Sequence, residues 1–452
     1  MPTAIHWFRR DLRLGDNPAL LAAREAGDVL PLFVLDPAIW EKSGDPRRHF
    51  LAGCLAELHE ATDGRLVVRH GTPQDVVPAL AREVGADTVH IAGDTGPYGR
   101  QRDAAVEKAL GDDAALVRTG SPYAVAPGTI TKDDGTPFKV FTPFSRRWRD
   151  HGWHDPAARP RKVSWARADG EDLPEAPDLG DTEVLEPGEA AAHRRWKAFL
   201  DDRIEGYDEE RNRPDLDTTS RMSAHLHFGT VHPRTLLKDI ADSGKVGKGV
   251  ETYTTELCWR DFYADVLWHR PETAREYYNP ELQGMTYSTG EQADEDFEAW
   301  AAGRTGFPVV DAAMRQLLAE GWMHNRMRMI TASFLVKDLH QEWTRGARYF
   351  MQHLVDGDLA SNNHGWQWVA GTGTDAAPYF RVFNPVSQGQ KFDPDGDYVR
   401  RYVPELRGIE GKKVHEPWDV ADGLPEGYPE RIVDHKHERE VALDRYAKAR
   451  GR

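Results

Sequence analysis

The side chains best suited to chemistry gather between Trp322 and Trp368. That stretch opens on Trp322-Met-His-Asn-Arg-Met-Arg-Met329, passes Asp356-Gly-Asp358 and closes on Ser361-Asn-Asn-His-Gly-Trp-Gln-Trp368. Arg328 and Asp356 bring opposite charges into a segment expected to be largely buried, where pairing is the least costly way to keep either. Asp358 and Asn362 add an acceptor and an amide suited to the polar edge of a heterocycle. If residues 322–337 form one helix, Asn325 and Met329 lie one turn apart on the face of Trp322, and Arg328 points elsewhere. An ordinary buried helix, with Met filling gaps and its Asn and Arg satisfied internally, answers the same pattern.

Two further groups invite a ligand. Tyr207, followed by Thr219-Ser-Arg-Met-Ser223, puts hydroxyls and a guanidinium where a loop enters a helix, an arrangement that suits phosphate oxygens. Helix capping alone would also explain Thr219 and Ser220. Within Thr252–His269, Glu256, Trp259, Arg260 and Tyr263 fall inside two turns. A carboxylate beside an indole can stack a flat ring and bond its edge; the alternative is a Glu256–Arg260 ion pair on a solvated face.

These residues need a frame to hold them. Residues 1–125 alternate apolar runs (Ala4–Phe8, Val29–Leu35, Leu66–Arg69, Thr88–Ala92, Ala115–Arg118) with helical patterns, which predicts a doubly wound parallel α/β sheet. Such a sheet offers a crevice at its carboxyl edge, beside Asp36, Asp94 and Thr95. No GxGxxG or GxxxxGK[ST] fingerprint opens a helix there. Residues 126–187 are rich in Pro, Gly, Asp and Ala and read as a connector, with the aromatic-basic patch Phe141–Trp148 lying along the surface. Residues 188–452 read as an all-α domain: Glu189–Ile204, Pro233–Ala241, Thr252–His269, Glu295–Ala302, Pro308–Ala319, Trp322–Leu339 and Ala347–Leu354. After Asn384 a less regular tail is expected.

At 452 residues two domains are expected, and 14 Trp exceed what packing demands. Cys54 and Cys258 are far apart without metal-like spacing, which fits a reducing compartment. The N-terminus lacks a secretory pattern and no run of eighteen apolar residues occurs, so a soluble cytoplasmic protein is expected. A net charge of −16 disfavours a nucleic-acid partner at face value but leaves room for a local basic groove.

Taken together, Trp7-Phe-Arg-Arg-Asp-Leu-Arg-Leu14, Thr219–Ser223, Glu256-Leu-Cys-Trp-Arg260, Thr305-Gly-Phe-Pro-Val-Val-Asp-Ala-Ala-Met314, Gly321–Arg326, Asp356–Asp358, and Gly365–Trp368 through Thr374–Arg381 resemble the photolyase/cryptochrome family, nearest to its class I cyclobutane pyrimidine dimer branch. The likeness spans nearly the whole chain in order. It implies FAD bound non-covalently, active as FADH−, with Tyr207, Thr219, Ser220, Arg221, Met222 and Ser223 around its phosphates and ribityl chain. Arg328, Asp356, Asp358 and Asn362 would surround the isoalloxazine, with Trp259, Arg260 and Asn325 also in the cofactor set. Glu256, Trp259, Asn325, Met329 and Trp368 would hold a flipped-out dimer, which photoexcited reduced FAD splits by electron transfer. Arg211, Arg326 and Arg381 would meet the backbone of UV-damaged DNA.

Trp366 and Trp343 match two members of the family's tryptophan relay; Gly290 stands where the third belongs, and Tyr287 is the nearest substitute. Arg47 and Asp94 resemble the branch that binds an 8-hydroxydeazaflavin antenna rather than methenyltetrahydrofolate, although that branch has Lys where this chain has His227; an empty or vestigial crevice is the alternative. A monomer without membrane contact is expected. A cryptochrome would share the fold and signal instead. A (6–4) photolyase would carry His at positions 325 and 329, where this chain has Asn and Met.

Overall fold

A computed structural model describes residues 2–375, 381–421 and 423–451; positions 376–380 of the motif that starts at Thr374 lie outside the described residues. Five strands, β1 (Thr3–Phe8), β2 (Asp28–Leu35), β3 (Val67–His70), β4 (Ala86–Ile91) and β5 (Ala115–Arg118), form one parallel sheet in the order β3-β2-β1-β4-β5. Each strand is where the apolar runs predict it; β1 and β2 are buried nearly throughout, as strands covered on both faces must be apolar. The helices Pro18–Ala26, Asp45–Ala61, Pro73–Val84 and Pro97–Leu110 alternate with the strands, and each starts with a proline at its first turn, where the missing N–H costs nothing.

Contacts divide the chain into two compact units. The first comprises Met1–Leu179, Leu185–Glu205 and Ser220–Pro271; the second Gly180–Val184, Gly206–Thr219 and Glu272–Arg452. Within the first, the connector lies along the sheet: Val29 of β2 pairs with Trp165 and Val68 of the edge strand β3 with Glu171, which covers backbone groups on that side. It also forms a helix, Phe141–His151, whose buried residues Phe141, Phe144 and Trp148 recur at helical spacing. That helix packs on Lys248–His269, where Trp148 Nε1 donates to Asp261 Oδ2 at 3.0 Å. The patch expected on the surface therefore has a buried apolar face.

The second unit is helical around one core that includes Trp300, Phe307, Phe334, Trp343, Phe350 and Trp366. Two expectations are corrected here. The helix expected from Trp322 begins only at Asn325: Gly321, at φ +57, ends the preceding helix, and His324 caps the next by accepting from Arg326 N at 3.2 Å. Trp322 therefore does not share a helical face with Asn325 and Met329. This helix then widens into a π-helical turn, Phe334–Asp338. The tail after Asn384 is also more regular than expected, with helices Pro385–Phe392, Asp397–Tyr402 and His435–Ala449. Asn384 and Asp434 cap two of them, accepting from Ser387 N at 2.9 Å and His437 N at 3.0 Å. Capping and proline placement outweigh the low apolar content of this region.

Candidate functional site

In the second unit, helix Asn325–Ser333 packs against helix Leu359–Ala370. Arg328 donates from Nε to Met323 O and from a terminal nitrogen to Asp356 Oδ2, both at 2.8 Å. Asp356 is buried, and its other oxygen, Oδ1, has no hydrogen-bond partner among the described residues. A buried carboxylate oxygen left dry costs free energy unless something donates to it. Asp358 caps the second helix, accepting from Ser361 N at 3.0 Å. Asn362 spends its amide nitrogen on Ala347 O at 3.1 Å and Asn363 Oδ1 at 2.9 Å, which turns its own carbonyl oxygen into the group with acceptor capacity. His364 lies between Ala360 O at 2.9 Å and Thr273 Oγ1 at 3.0 Å, and burial pushes it down to about 4, so this imidazole is neutral.

Asn325 is exposed at the helix start; Met329, one turn on, and Trp368, on the other helix, are half-buried. Trp366 is buried, its ring centroid 4.9 Å from Phe350 and 6.3 Å from Trp300. Trp343 is fully buried, 6.3 Å from the ring of Tyr277, and the Tyr277 hydroxyl lies 2.9 Å from that of Tyr287. Tyr207 opens a short helix, Tyr207–Glu210, and Arg211 lies over its ring at 5.7 Å. The Thr218 and Thr219 hydroxyls are buried without a hydrogen-bond partner among the described residues. Arg326 is set by Asn212, whose Oδ1 accepts from two of its nitrogens at 3.1 and 2.7 Å, and by the Phe392 ring 4.6 Å away. Arg381 is exposed, and its backbone carbonyl accepts from Lys337, a buried amine that desolvation pushes down to about 7.

The first unit carries the rest. Ser220 Oγ lies 3.1 Å from the Tyr253 hydroxyl, which burial pushes up, and it also accepts from Met222 N at 3.4 Å. Arg221 sits in the left-handed region at φ +51, a strained geometry for a residue with a side chain. Met222 is buried, and Ser223 is exposed at the start of helix Ser223–Phe228. On helix Lys248–His269, Glu256 is half-buried and Trp259 stacks on Phe141 at 3.5 Å and 6°. Arg260 donates to Pro122 O at 2.9 Å and Leu226 O at 3.0 Å and lies 4.4 Å from the Tyr123 ring, so it ties the segment that precedes the connector to this helix.

The sheet order reverses at β1 and β4, the place where a doubly wound fold binds ligands. There Asp94 takes Gly96 N and Arg102, both at 3.1 Å, and Asp103 takes Arg9 at 2.9 Å and Arg102 at 2.8 and 3.0 Å. Asp36 accepts from Ala38 N at 3.0 Å and from the Tyr98 hydroxyl. Arg47 is buried on helix Asp45–Ala61.

Several residues escaped the sequence reading. Phe141 reads in the sequence only as part of a patch along the surface, and its support of Trp259 could have been found, because apolar residues at 141, 144 and 148 trace one helical face. Asn212, Tyr253 and Tyr277 act through tertiary neighbours, and no spacing in the sequence marks them.

Two family models match the chain: DNA photolyase over residues 4–161 and the FAD binding domain of DNA photolyase over residues 253–448. A deoxyribodipyrimidine photo-lyase from Streptomyces griseus is 42% identical over 467 residues, covering 100% of both chains. A bacterial class III photolyase from Agrobacterium tumefaciens, of known crystal structure, superposes with a TM-score of 0.93 at 37% identity, covering 100% of this chain and 98% of that one. A cryptochrome from Synechocystis superposes with a TM-score of 0.89 at 26% identity, covering 98% and 99%.

Proposed function

The chain belongs to the DNA photolyase family, and from that premise we infer that it is a deoxyribodipyrimidine photo-lyase: a light-driven enzyme that uses FAD to split cyclobutane pyrimidine dimers in DNA. The observation that carries the reading is the dry oxygen of Asp356 beside its bond to Arg328. The carboxylate is half engaged, and the open half suits an N–H on the edge of a flat heterocycle. Arg328 fixes the carboxylate in place. The orphaned Thr219 hydroxyl and the strained Arg221 backbone fit a second class of partner, phosphate oxygens.

On this basis the flavin ring falls to Arg328, Asp356, Asp358 and Asn362, and the phosphates and ribityl chain to Tyr207 and Thr219 in the second unit and to Ser220, Arg221, Met222 and Ser223 in the first. When bound, reduced FAD supplies the photoexcited electron that breaks the cyclobutane bonds. The chain's own side chains bind and orient the lesion, which photolyases as a class take out of the base stack. Asn325 offers an exposed amide to a pyrimidine edge, Met329 an adaptable apolar contact, and Trp368 a half-buried indole face. Trp259 is held rigid by Phe141, so stacking on it costs little ordering entropy, and Glu256 sits one turn before it. Arg211, Arg326 and Arg381 supply phosphate contacts. Arg326 is prepared for that work by Asn212, which fixes its plane.

In the first unit we assign a second, light-harvesting chromophore of 8-hydroxydeazaflavin type to a crevice where the buried guanidinium of Arg47 favours a ring with an acidic hydroxyl and Asp94, spent on Gly96 N and Arg102, holds the wall in shape. Among the described residues no helix is long and apolar enough to cross a membrane. Two buried free thiols suit a reducing cytoplasm, and we take the protein to act as a monomer.

The test is an absorption spectrum of purified protein, followed by blue light on a thymine-dimer oligonucleotide after chemical reduction. Bound flavin and restored thymines are expected. Flavin without restoration would favour a light receptor of cryptochrome type.

A further inference from the structure

The outer end of the tryptophan relay poses a chemical difficulty. Position 290, where the resemblance asks for a third indole, is glycine, yet an oxidised Trp343 must be refilled before its charge returns inward. Helix Trp343–His353 carries Gly346 one turn after Trp343, and a side chain there would collide with Trp366: a Cβ at Gly346 would stand 2.2 Å from Trp366 Cη2. The glycine thus lets Trp366 press on the helix that carries Trp343. Beyond Trp343 comes Tyr277, 6.3 Å away ring to ring and 9% exposed. Its hydroxyl lies 2.9 Å from that of Tyr287 and 3.3 Å from Glu342 Oε1. Glu342 is exposed, and its other oxygen accepts from Thr344 Oγ1 at 2.8 Å.

A phenol gives up an electron readily only if its proton has somewhere to go. Burial, first among the causes, holds the Tyr277 hydroxyl well above the ordinary phenol range, so no phenolate is waiting there. A carboxylate within reach meets the need, and exposure lets it pass the proton to water. The competing aromatic path fails on this point. It runs from Trp366 to Trp300 at 6.3 Å and on to Tyr349 at 5.5 Å, but the Tyr349 hydroxyl donates to the amide carbonyl of Ala301 at 3.0 Å, which cannot keep a proton. Tyr287 is half-buried, and the hydrogen bond found for its hydroxyl is to Tyr277, not to a carboxylate.

We propose that Tyr277 is the terminal electron donor of this relay and that Glu342 is the base that takes its proton. The inference rests on the proposed function, a light-driven flavin enzyme, and on the relay that the resemblance implies through Trp366 and Trp343, which oxidised flavin would draw on in light. One electron passes from the Tyr277 ring to the Trp343 radical cation; the Oη–H bond breaks and its proton goes to Glu342 Oε1. The products are neutral Trp343, a neutral tyrosyl radical and a protonated carboxyl group, which releases its proton to solvent. A soluble thiol then returns one hydrogen atom to Tyr277.

The experiment is flash illumination of full-length protein loaded with oxidised FAD, followed by transient absorption and electron paramagnetic resonance. Wild type is compared with Tyr277→Phe, Tyr287→Phe and Glu342→Gln, in water and in deuterium oxide. Wild type and Tyr287→Phe should give a tyrosyl radical, formed more slowly in deuterium oxide. Tyr277→Phe should abolish it and leave a longer-lived indole cation. Glu342→Gln should slow its formation about a hundredfold, the scale lost with a positioned base. A tyrosyl signal that survives Tyr277→Phe, or that forms at the wild-type rate in Glu342→Gln, overturns the inference alone. Absence of any indole radical in wild type overturns the relay and the inference together. Glu342 lies on the surface, so its variant carries the test if Tyr277→Phe fails to fold.

Discussion

Two sets of paired charges in this molecule stand in opposite conditions. At the sheet's switch point both oxygens of Asp94 are engaged, and Asp103 answers Arg9 and Arg102 together. In the second unit Asp356 gives one oxygen to Arg328 and keeps the other buried and dry. Asp356 is buried and Asp94 half-buried, and these two both read in sequence as carboxylates near a ligand. The difference is in what remains to be satisfied. A carboxylate spent on its own neighbours holds a structure together, whereas one left half engaged reserves a place for a donor that arrives later. Leaving that oxygen dry costs on the order of 1–3 kcal/mol, which a bound ligand can offset.

The comparison can be broken most forcefully at the sheet. Asp103→Ala removes the acceptor shared by two arginines whose side chains are 8% and 9% exposed. Stranding buried charge costs about 3–5 kcal/mol, so denaturant unfolding should show a loss of that size while FAD affinity of the folded protein stays put. An equal fall in FAD affinity would mean that the cluster is not merely structural.

Asp261 sharpens the contrast, because it is a buried carboxyl in the first unit with no guanidinium bonded to it among the described residues. It accepts at Oδ2 from Val125 N and Trp148 Nε1, both at 3.0 Å, and Oδ1 has no hydrogen-bond partner among the described residues. Burial, only partly offset by these bonds, raises it from 3.8 to about 6. Since the folded chain holds this proton more tightly than the unfolded one, its contribution to stability is fully present below about pH 4 and is lost as pH rises through about 6. The loss is at most about 3 kcal/mol. Unfolding of Asp261→Asn, followed between those limits, should lack this slope; an unchanged slope would place the titration elsewhere.

Asp356→Asn should do the reverse of Asp103→Ala. It removes the charge of the half-engaged acceptor, and the loss of charge-assisted bonds worth about 1.5–3 kcal/mol predicts FAD affinity weaker by about 10- to 100-fold. Fluorescence titration of the flavin reads this directly, and unfolding of the flavin-free protein should shift less than for Asp103→Ala.

The same contrast explains how far the sequence could be read. The strands were legible as short apolar runs, most plainly β1 and β2, which are buried nearly throughout, and the pairing of Arg328 with Asp356 followed from burial alone. The start of the helix at Asn325 was not legible, since His324 is an unusual cap and Trp322 continues the apolar pattern past the true boundary. Arg260 read equally well as an ion-pair partner for Glu256 or as part of a ring pocket. Its two carbonyl acceptors come from residues 34 and 138 positions away, beyond the reach of any local pattern. Whether a polar group is already satisfied is a tertiary property, and it is the property that separates Asp94 from Asp356.

The smallest expected effect tests that property in two threonines of the second unit. Thr305 donates its hydroxyl to Asp311 Oδ1 at 2.7 Å and is wholly buried, whereas the equally polar Thr219 hydroxyl has no partner among the described residues. Valine at either position keeps the branched shape and removes the hydroxyl. Thr305→Val takes a donor from a buried carboxylate and should cost about 1–3 kcal/mol of stability without touching FAD affinity. Thr219→Val removes a group that is dry until a phosphate oxygen reaches it, so the flavin-free protein should be no less stable. Its FAD affinity should weaken about fivefold, the equivalent of one ordinary hydrogen bond of about 1 kcal/mol. If Thr219→Val destabilised the flavin-free protein as much as Thr305→Val does, its hydroxyl would already be satisfied within the fold, and the second unit would lose its claim to be the open one.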